Sequence, residues 1–220
     1  LHAMYAAAGI GEGDEVIVPI ITFAATANAA LYLGAKPVFA DIDPTTLLID
    51  PESVAELITD STKAIVGVDF AGQPAEYESL YELASGRDIT VMADAAHSLG
   101  STRDGVPGGK IADASVLSFH PVKHVAAGEG GAIVTDNAEL AQKATRFRNH
   151  GISADHSQRA SKNTWEYEIT DLGFNYRMSD IHCALGESQL GGLTDNVASR
   201  QRIAGVYDTE FESVDGVTPL

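Results

Sequence analysis

The stretch Ile89-Thr90-Val91-Met92-Ala93-Asp94-Ala95-Ala96-His97 decides the fold. Its first five residues carry no charge, and three of them are β-branched, so they read as a strand. The run then stops on a carboxylate, two alanines and an imidazole. A second run of this kind, Ala114-Ser115-Val116-Leu117-Ser118, leads into Phe119-His120-Pro121-Val122-Lys123-His124 and the turn Gly128-Glu129-Gly130-Gly131.

Working outward, strands are expected at Glu15–Val18, Pro37–Asp41, Ala64–Val68 and Ala132–Thr135, with helical patterns between them. Helices are expected over Thr26–Leu33, stopped by Gly34, over Glu76–Ser85 and over Ala138–Arg148. Asp50-Pro51-Glu52-Ser53 opens another, with Asp50 as N-cap and Pro51 at the first helical position. This alternation predicts an α/β fold, a mainly parallel sheet covered by helices. Residues 151–171 are polar without a clear period and are expected to form a long loop, a kind that is often functional. A helix returns over Ser179–Leu190, and a polar one over about 195–207 follows Gly191-Gly192.

The chain of 220 residues is 45% hydrophobic, with 14 basic and 31 acidic side chains and a net charge of −17. Such a charge repels phosphate backbones and argues against sequence-independent nucleic-acid binding. It fits a salt-adapted surface or an ordinary acidic enzyme. The one cysteine, Cys183, rules out an internal disulfide framework and fits a reducing compartment, so a cytoplasmic protein is expected. No apolar run approaches the roughly 18 residues of a membrane span. The opening Leu1-His2-Ala3-Met4-Tyr5 reads as the later part of a helix, so an internal fragment is expected.

In open α/β sheets ligands sit beyond the carboxyl ends of the strands. Three groups fall there. Asp94 and His97 follow the strand at 89–93; Asp94 reads either as a pocket carboxylate or as the N-cap of the next turn, and His97 as a pocket or a surface residue. Ser118 and Lys123 follow the strand at 114–118; Lys123 reads as a carbonyl-reactive amine or a solvated loop lysine. Phe23 follows the first strand and reads as a stacking surface or a core aromatic. Together, a lysine, a carboxylate, an aromatic and a hydroxyl at strand ends are what pyridoxal phosphate needs. The lysine forms the Schiff base, the carboxylate keeps the ring nitrogen protonated, the aromatic covers the ring and the hydroxyl helps hold the phosphate. Metal binding by His120 and His124 is disfavoured by Pro121, which breaks the helix that would pair the rings.

Thr22-Phe23-Ala24-Ala25-Thr26-Ala27-Asn28-Ala29, the segment from Gly34 to Asp43, Asp94-Ala95-Ala96-His97, Ser118–Lys123 and Gly173-Phe174-Asn175-Tyr176-Arg177-Met178 resemble the DegT/DnrJ/StrS family of sugar aminotransferases. The resemblance runs over nearly the whole chain. It implies the aspartate-aminotransferase-like fold (PLP fold type I), a homodimer with shared sites, and pyridoxal 5′-phosphate. It makes residues 1–192 a PLP-binding large domain lacking its N-terminal part, and 193–220 the start of a small C-terminal domain. By position, Lys123 matches the Schiff-base lysine and Asp94 the partner of the pyridine nitrogen. His97 matches a residue near the phenolic oxygen, Ser118 a phosphate ligand and Phe23 the ring cover. Asn175 matches an Asn that reaches the phosphate of the neighbouring subunit; on spacing alone it is a turn residue, and Arg177 a surface charge.

Ser118–Lys123 and Val68-Asp69-Phe70-Ala71-Gly72-Gln73 most resemble the branch that aminates UDP-4-keto-6-deoxy-N-acetylhexosamines. The family's phosphate-binding turn at a helix N-terminus would precede Leu1, so a weakened phosphate site is expected. The reaction implied is amination of a keto nucleotide-sugar, with glutamate as donor and Lys123 moving the proton. Two rivals remain: a PLP-dependent sugar dehydratase, whose members carry His at the lysine position, and a non-catalytic binding or regulatory protein.

Overall fold

The computed structural model describes residues 1–153 and 163–218. Its six-stranded sheet contains β1 (Glu15–Pro19), β2 (Lys36–Ala40), β3 (Thr62–Val68), β4 (Thr90–Asp94), β7 (Ala114–Ser118) and β8 (Gly131–Val134). The order is β2-β1-β3-β4-β7-β8. Every neighbouring pair is parallel except β7–β8. A separate hairpin pairs β5 (Thr102–Arg103) with β6 (Val106–Pro107).

The inner strands are apolar on both faces because helices cover both. Side-chain alternation divides the core in two. Val16, Val18, Val66 and Met92 face one cluster, which takes in α1 (His2–Ala7), α2 (Ala24–Leu31) and α5 (Ala138–Phe147). Ile17, Ile65, Val91 and Ala93 face the other, closed by α3 (Pro51–Leu57) and α4 (Tyr77–Ala84). Burying each such aliphatic side chain stabilises by roughly 1.5–3 kcal/mol, so the sheet is a stiff platform.

Capping follows the sequence closely. The Asp50 side chain accepts from the Glu52 N–H, with Pro51 inside the first turn. Asn137 accepts from Glu139 and Leu140 at the start of α5. The Ser179 hydroxyl caps α6 (Asp180–Leu190) by accepting from His182. After Gly192, α7 (Leu193–Phe211) runs for 19 residues with none of them buried.

Several element ends differ from expectation, most of all in α2 and α7, the latter starting at Leu193 and running on to Phe211. α2 starts two residues before Thr26 and ends at Leu31, because residues 32–34 form a turn around Gly34, whose φ of +78° is left-handed. The β5–β6 hairpin was not anticipated. Of the expected loop at 151–171, residues 151–153 and 163–171 show only an isolated bridge, Ile152 to Ile169; its middle, 154–162, lies outside the described residues.

The topology places the site. The chain passes from β1 to β2 on one side and to β3 on the other, so the carboxyl ends of β1 and β3 flank a switch point. Within the sheet Asp94 is in register with Val68 of β3 and Val116 of β7.

Candidate active site

Asp94 ends β4 and is only 6% exposed. Its Oδ2 accepts the Thr26 hydroxyl at 2.7 Å and its Oδ1 accepts the Ala96 N–H at 3.3 Å. It therefore caps a tight turn and not a helix. The wholly buried Thr26 itself accepts from the Thr22 hydroxyl at 2.7 Å, and its carbonyl accepts the Tyr5 hydroxyl at 3.1 Å. The Thr22 proton thus points to Thr26 and the Thr26 proton to Asp94, a polarised chain that orients the carboxylate.

No ion pair with Asp94 forms among the described residues. A buried carboxylate with two donors and no cation is undercompensated. A protonated ring nitrogen supplies the missing positive charge, so this carboxylate fits the pyridine ring of pyridoxal phosphate.

His97 sits three residues on, half-buried, with its ring 6.5 Å from that of Phe70. Burial pushes its imidazole below the usual range, and the Lys123 charge adds to that; Asp94 and Asp69 pull the other way. His97 is thus in electrostatic reach of both Lys123 and Asp94.

Lys123 lies in the connection from β7 to β8. This loop is closed on itself: the Lys123 N–H donates to His120, the Ala127 N–H to Phe119 and the Phe119 N–H to Gly130. The Ser118 hydroxyl accepts from the His120 N–H at 3.3 Å. The Gly-rich end allows close packing. A Cβ on Gly131 would stand 2.6 Å from the Leu117 carbonyl oxygen, and one on Gly130 2.7 Å from Met178 Sδ. Lys123 makes no ion pair among the described residues, so its amine is free for chemistry.

Phe23 is the N-cap of α2, one turn before Thr26, and is 80% exposed. It is therefore no core aromatic. An exposed ring at a strand end is available to cover a flat ligand.

Asn175 stands apart. It pairs with Asn149 in an isolated bridge, on a segment fixed by the Phe174 N–H to Phe147 and the Tyr176 N–H to Arg148. Phe174 and Tyr176 stack at 5.1 Å, and Asn175 between them is exposed. No contact links it to Asp94, His97 or Lys123 of its own chain among the described residues. Arg177 donates to Asn149 Oδ1 at 2.8 Å.

Two features escaped the sequence reading. One is Thr26, whose only signal is a threonine in an alanine-rich helix. The other is the setting of His124, held low by burial first and then by the charge of Arg200 of α7. No group of three or more metal-ligating side chains occurs among the described residues. A depression of ≈ 600 Å³ lined by Tyr81, Lys110, Asp113 and Lys143 contains none of these site residues.

The profile of the DegT/DnrJ/EryC1/StrS aminotransferase family matches residues 1–220. The chain is 43% identical over 214 residues to the UDP-4-amino-4,6-dideoxy-N-acetyl-beta-L-altrosamine transaminase of Campylobacter jejuni, covering 96% of this chain and 55% of that protein. It is 42% identical over 216 residues to the spore coat polysaccharide biosynthesis protein SpsC of Bacillus subtilis, covering 97% and 56%. Among solved structures, the aminotransferase TlmJ from Streptoalloteichus hindustanus superposes with a TM-score of 0.90 at 33% identity, covering 100% of this chain and 58% of that one. DesV of S. venezuelae, solved in complex with a ketimine intermediate, gives 0.90 at 29% identity, covering 100% and 57%. The chain thus spans little more than half the length of these relatives. The sheet and its helical layers form the aspartate-aminotransferase-like fold, PLP fold type I. From the profile match over its full length, the chain belongs to the DegT/DnrJ/EryC1/StrS aminotransferase family.

Proposed function

We propose that the protein containing this chain is a PLP-dependent nucleotide-sugar transaminase. Its substrate is a UDP-4-keto-6-deoxy-N-acetylhexosamine and its amino donor is glutamate. The observation that carries this reading is the buried carboxylate of Asp94 at the same sheet edge as the amine of Lys123, neither of them in an ion pair among the described residues. The substrate class is supported by the 43% identity to the altrosamine transaminase and by likeness to GDP-perosamine synthase of Caulobacter vibrioides at 39%.

Pyridoxal phosphate, when bound, supplies an electron sink that stabilises negative charge on the carbon losing its proton. The chain supplies the rest. Asp94, aimed by Thr26 and the Ala96 N–H, holds the ring nitrogen protonated. Lys123 holds the cofactor at rest; once released, its amine takes a proton from one reacting carbon and returns it to another. His97, kept neutral by burial and by Lys123, offers one N–H beside the phenolic oxygen. Phe23 covers the ring and excludes water, and Ser118 holds the phosphate. Asn175, exposed and without a hydrogen bond to its own Asp94 among the described residues, serves the phosphate of a second copy in a homodimer with shared sites. Residues 1–192 form the cofactor-binding domain and 193–220 open a smaller one. The enzyme works in the cytoplasm; among the described residues no helix is long and apolar enough to cross a membrane.

The test is a visible absorbance spectrum of the full-length protein with pyridoxal phosphate, before and after glutamate. A band assigned to lysine-linked cofactor that bleaches on adding glutamate is expected. No band from folded protein refutes the reading. Lys123→Ala should abolish turnover, and substantial residual activity would remove Lys123 from its role.

A further inference from the structure

Asp69 takes no part in the roles assigned above, yet it is buried at the end of β3 with its carboxylate fully engaged. Oδ1 accepts the Tyr77 hydroxyl at 2.7 Å and the Ala75 N–H at 3.1 Å. Oδ2 accepts the Ser98 hydroxyl. Its main-chain N–H donates to the Asp94 carbonyl at 3.1 Å. One residue therefore grips the segment 94–98 at both ends, by backbone at Asp94 and by carboxylate at Ser98. Asp94 and His97 lie inside that grip.

The chain after Asp69 reinforces the contact. Ala71 is left-handed at φ 54° and Gly72 at φ +92°. A Cβ on Gly72 would stand 3.2 Å from the His97 carbonyl oxygen, so this turn lies close under His97. The Phe70 ring flanks the imidazole.

The arrangement is electrostatically unfavourable by itself. Two buried carboxylates, Asp69 and Asp94, end adjacent strands, and burial pushes the Asp69 acid up. Three donors compensate it, but a neutral Asn would cap Ala75 and Tyr77 without burying a second charge beside Asp94. The charged form is the better acceptor for the Ser98 hydroxyl.

We infer that Asp69 is a positioning residue. Through Ser98 and the Asp94 backbone it fixes the turn that would present Asp94 to the ring nitrogen and His97 to the phenolic oxygen. The inference rests on the transaminase reading. Tyr77, which bonds the same carboxylate from the α4 side, makes no hydrogen bond to residues 94–98 among the described residues and serves as the control.

The experiment uses the full-length protein stripped of cofactor and titrated with pyridoxal phosphate. The readouts are the dissociation constant, the visible circular dichroism of the bound cofactor and the melting temperature before cofactor is added. Ser98→Ala and Asp69→Asn should weaken binding about tenfold, the worth of one hydrogen bond to a charged group. Both should change the visible dichroism, because the ring seat moves. Tyr77→Phe should lower the melting temperature while leaving binding within about twofold and the dichroism unchanged. Should Ser98→Ala not fold, Asp69→Asn decides alone, since it keeps the volume and one acceptor oxygen for Ala75 and Tyr77 but loses the acceptor that faces Ser98. If both variants bind as wild type with unchanged dichroism, and lose only melting temperature, Asp69 is merely a structural anchor. That result leaves the transaminase reading standing. If folded wild-type protein binds no pyridoxal phosphate, the transaminase reading falls and takes this inference with it.

Discussion

Replacing Thr26 with Val deletes one hydroxyl and leaves nearly the same shape in a fully buried position. That hydroxyl donates to Asp94 Oδ2 at 2.7 Å. A hydrogen bond to a charged group contributes about 1.5–3 kcal/mol, more than a neutral pair. Two local adjustments limit the damage. Asp94 keeps its Ala96 N–H donor at 3.3 Å, and the Thr22 hydroxyl, losing its acceptor, still has the Phe23 carbonyl at 3.3 Å. A net loss of about 2 kcal/mol is expected, close to the middle of that range. For a domain of this size, that lowers Tm by about 4–8 °C. Thr26→Ser keeps the hydroxyl and loses one methyl, about 0.8 kcal/mol of burial, so it should fall between wild type and Val. Thermal unfolding followed by circular dichroism without cofactor measures all three. Thr26→Val melting with wild type, or Thr26→Ser melting lowest, would refute the assignment of the hydroxyl to Asp94.

Gly131→Ala forces a Cβ to within 2.6 Å of the Leu117 carbonyl, a backbone atom in the paired strand that cannot swing aside. A loss of about 1–3 kcal/mol in chemical denaturation is expected, as for overpacking, and an unchanged midpoint would show that β8 shifts freely. His97 and His124 are both held below the ordinary imidazole value, by burial first and then by Lys123 and Arg200 respectively. Their folded values are depressed, so the neutral forms stabilise the fold above about pH 6.5, and that contribution is lost as pH falls through this value. His124→Gln should therefore flatten the stability decline between about pH 6.5 and 5, measured by urea unfolding at each pH, and an unaltered slope would count against it.

The strands were readable because a parallel sheet covered on both faces needs uncharged, mainly apolar runs, and 64–68, 90–93 and 114–117 are such runs. Asp50 and Pro51 gave α3 its start through local capping chemistry alone. Asp94, Ser118 and Lys123 were readable as strand-end residues because the rule for open sheets needs only the strand assignment. What the sequence hid were bonds between distant positions. The Thr26–Asp94 bond spans 68 residues, and nothing near Thr26 announces it. Asp69 stood in a quoted motif, but its grip on Ser98 depends on two residues 29 apart meeting at the edge of the sheet. Arg200 reaches His124 only because α7 folds back, with Val197 and Leu193 against Gly100. The two-residue strands of the β5–β6 hairpin are too short to show a period, although Asp104-Gly105 was a usable turn signal.

The sheet order carries a consequence for how the protein matures. Phe23 and Lys123 are 100 positions apart, and Asp94 gains its flanking strands only when β3 and β7 have both docked on β4. Parallel pairing is non-local and slow, since each strand waits for a full crossover to form. No early hairpin or isolated helix pair brings together Phe23, Asp94 and Lys123, the residues proposed to hold the cofactor. Ligand added during refolding therefore stabilises the finished sheet by mass action and does little for the intermediates that precede it. Capture of pyridoxal phosphate should lag secondary-structure formation and report the last docking event of the chain.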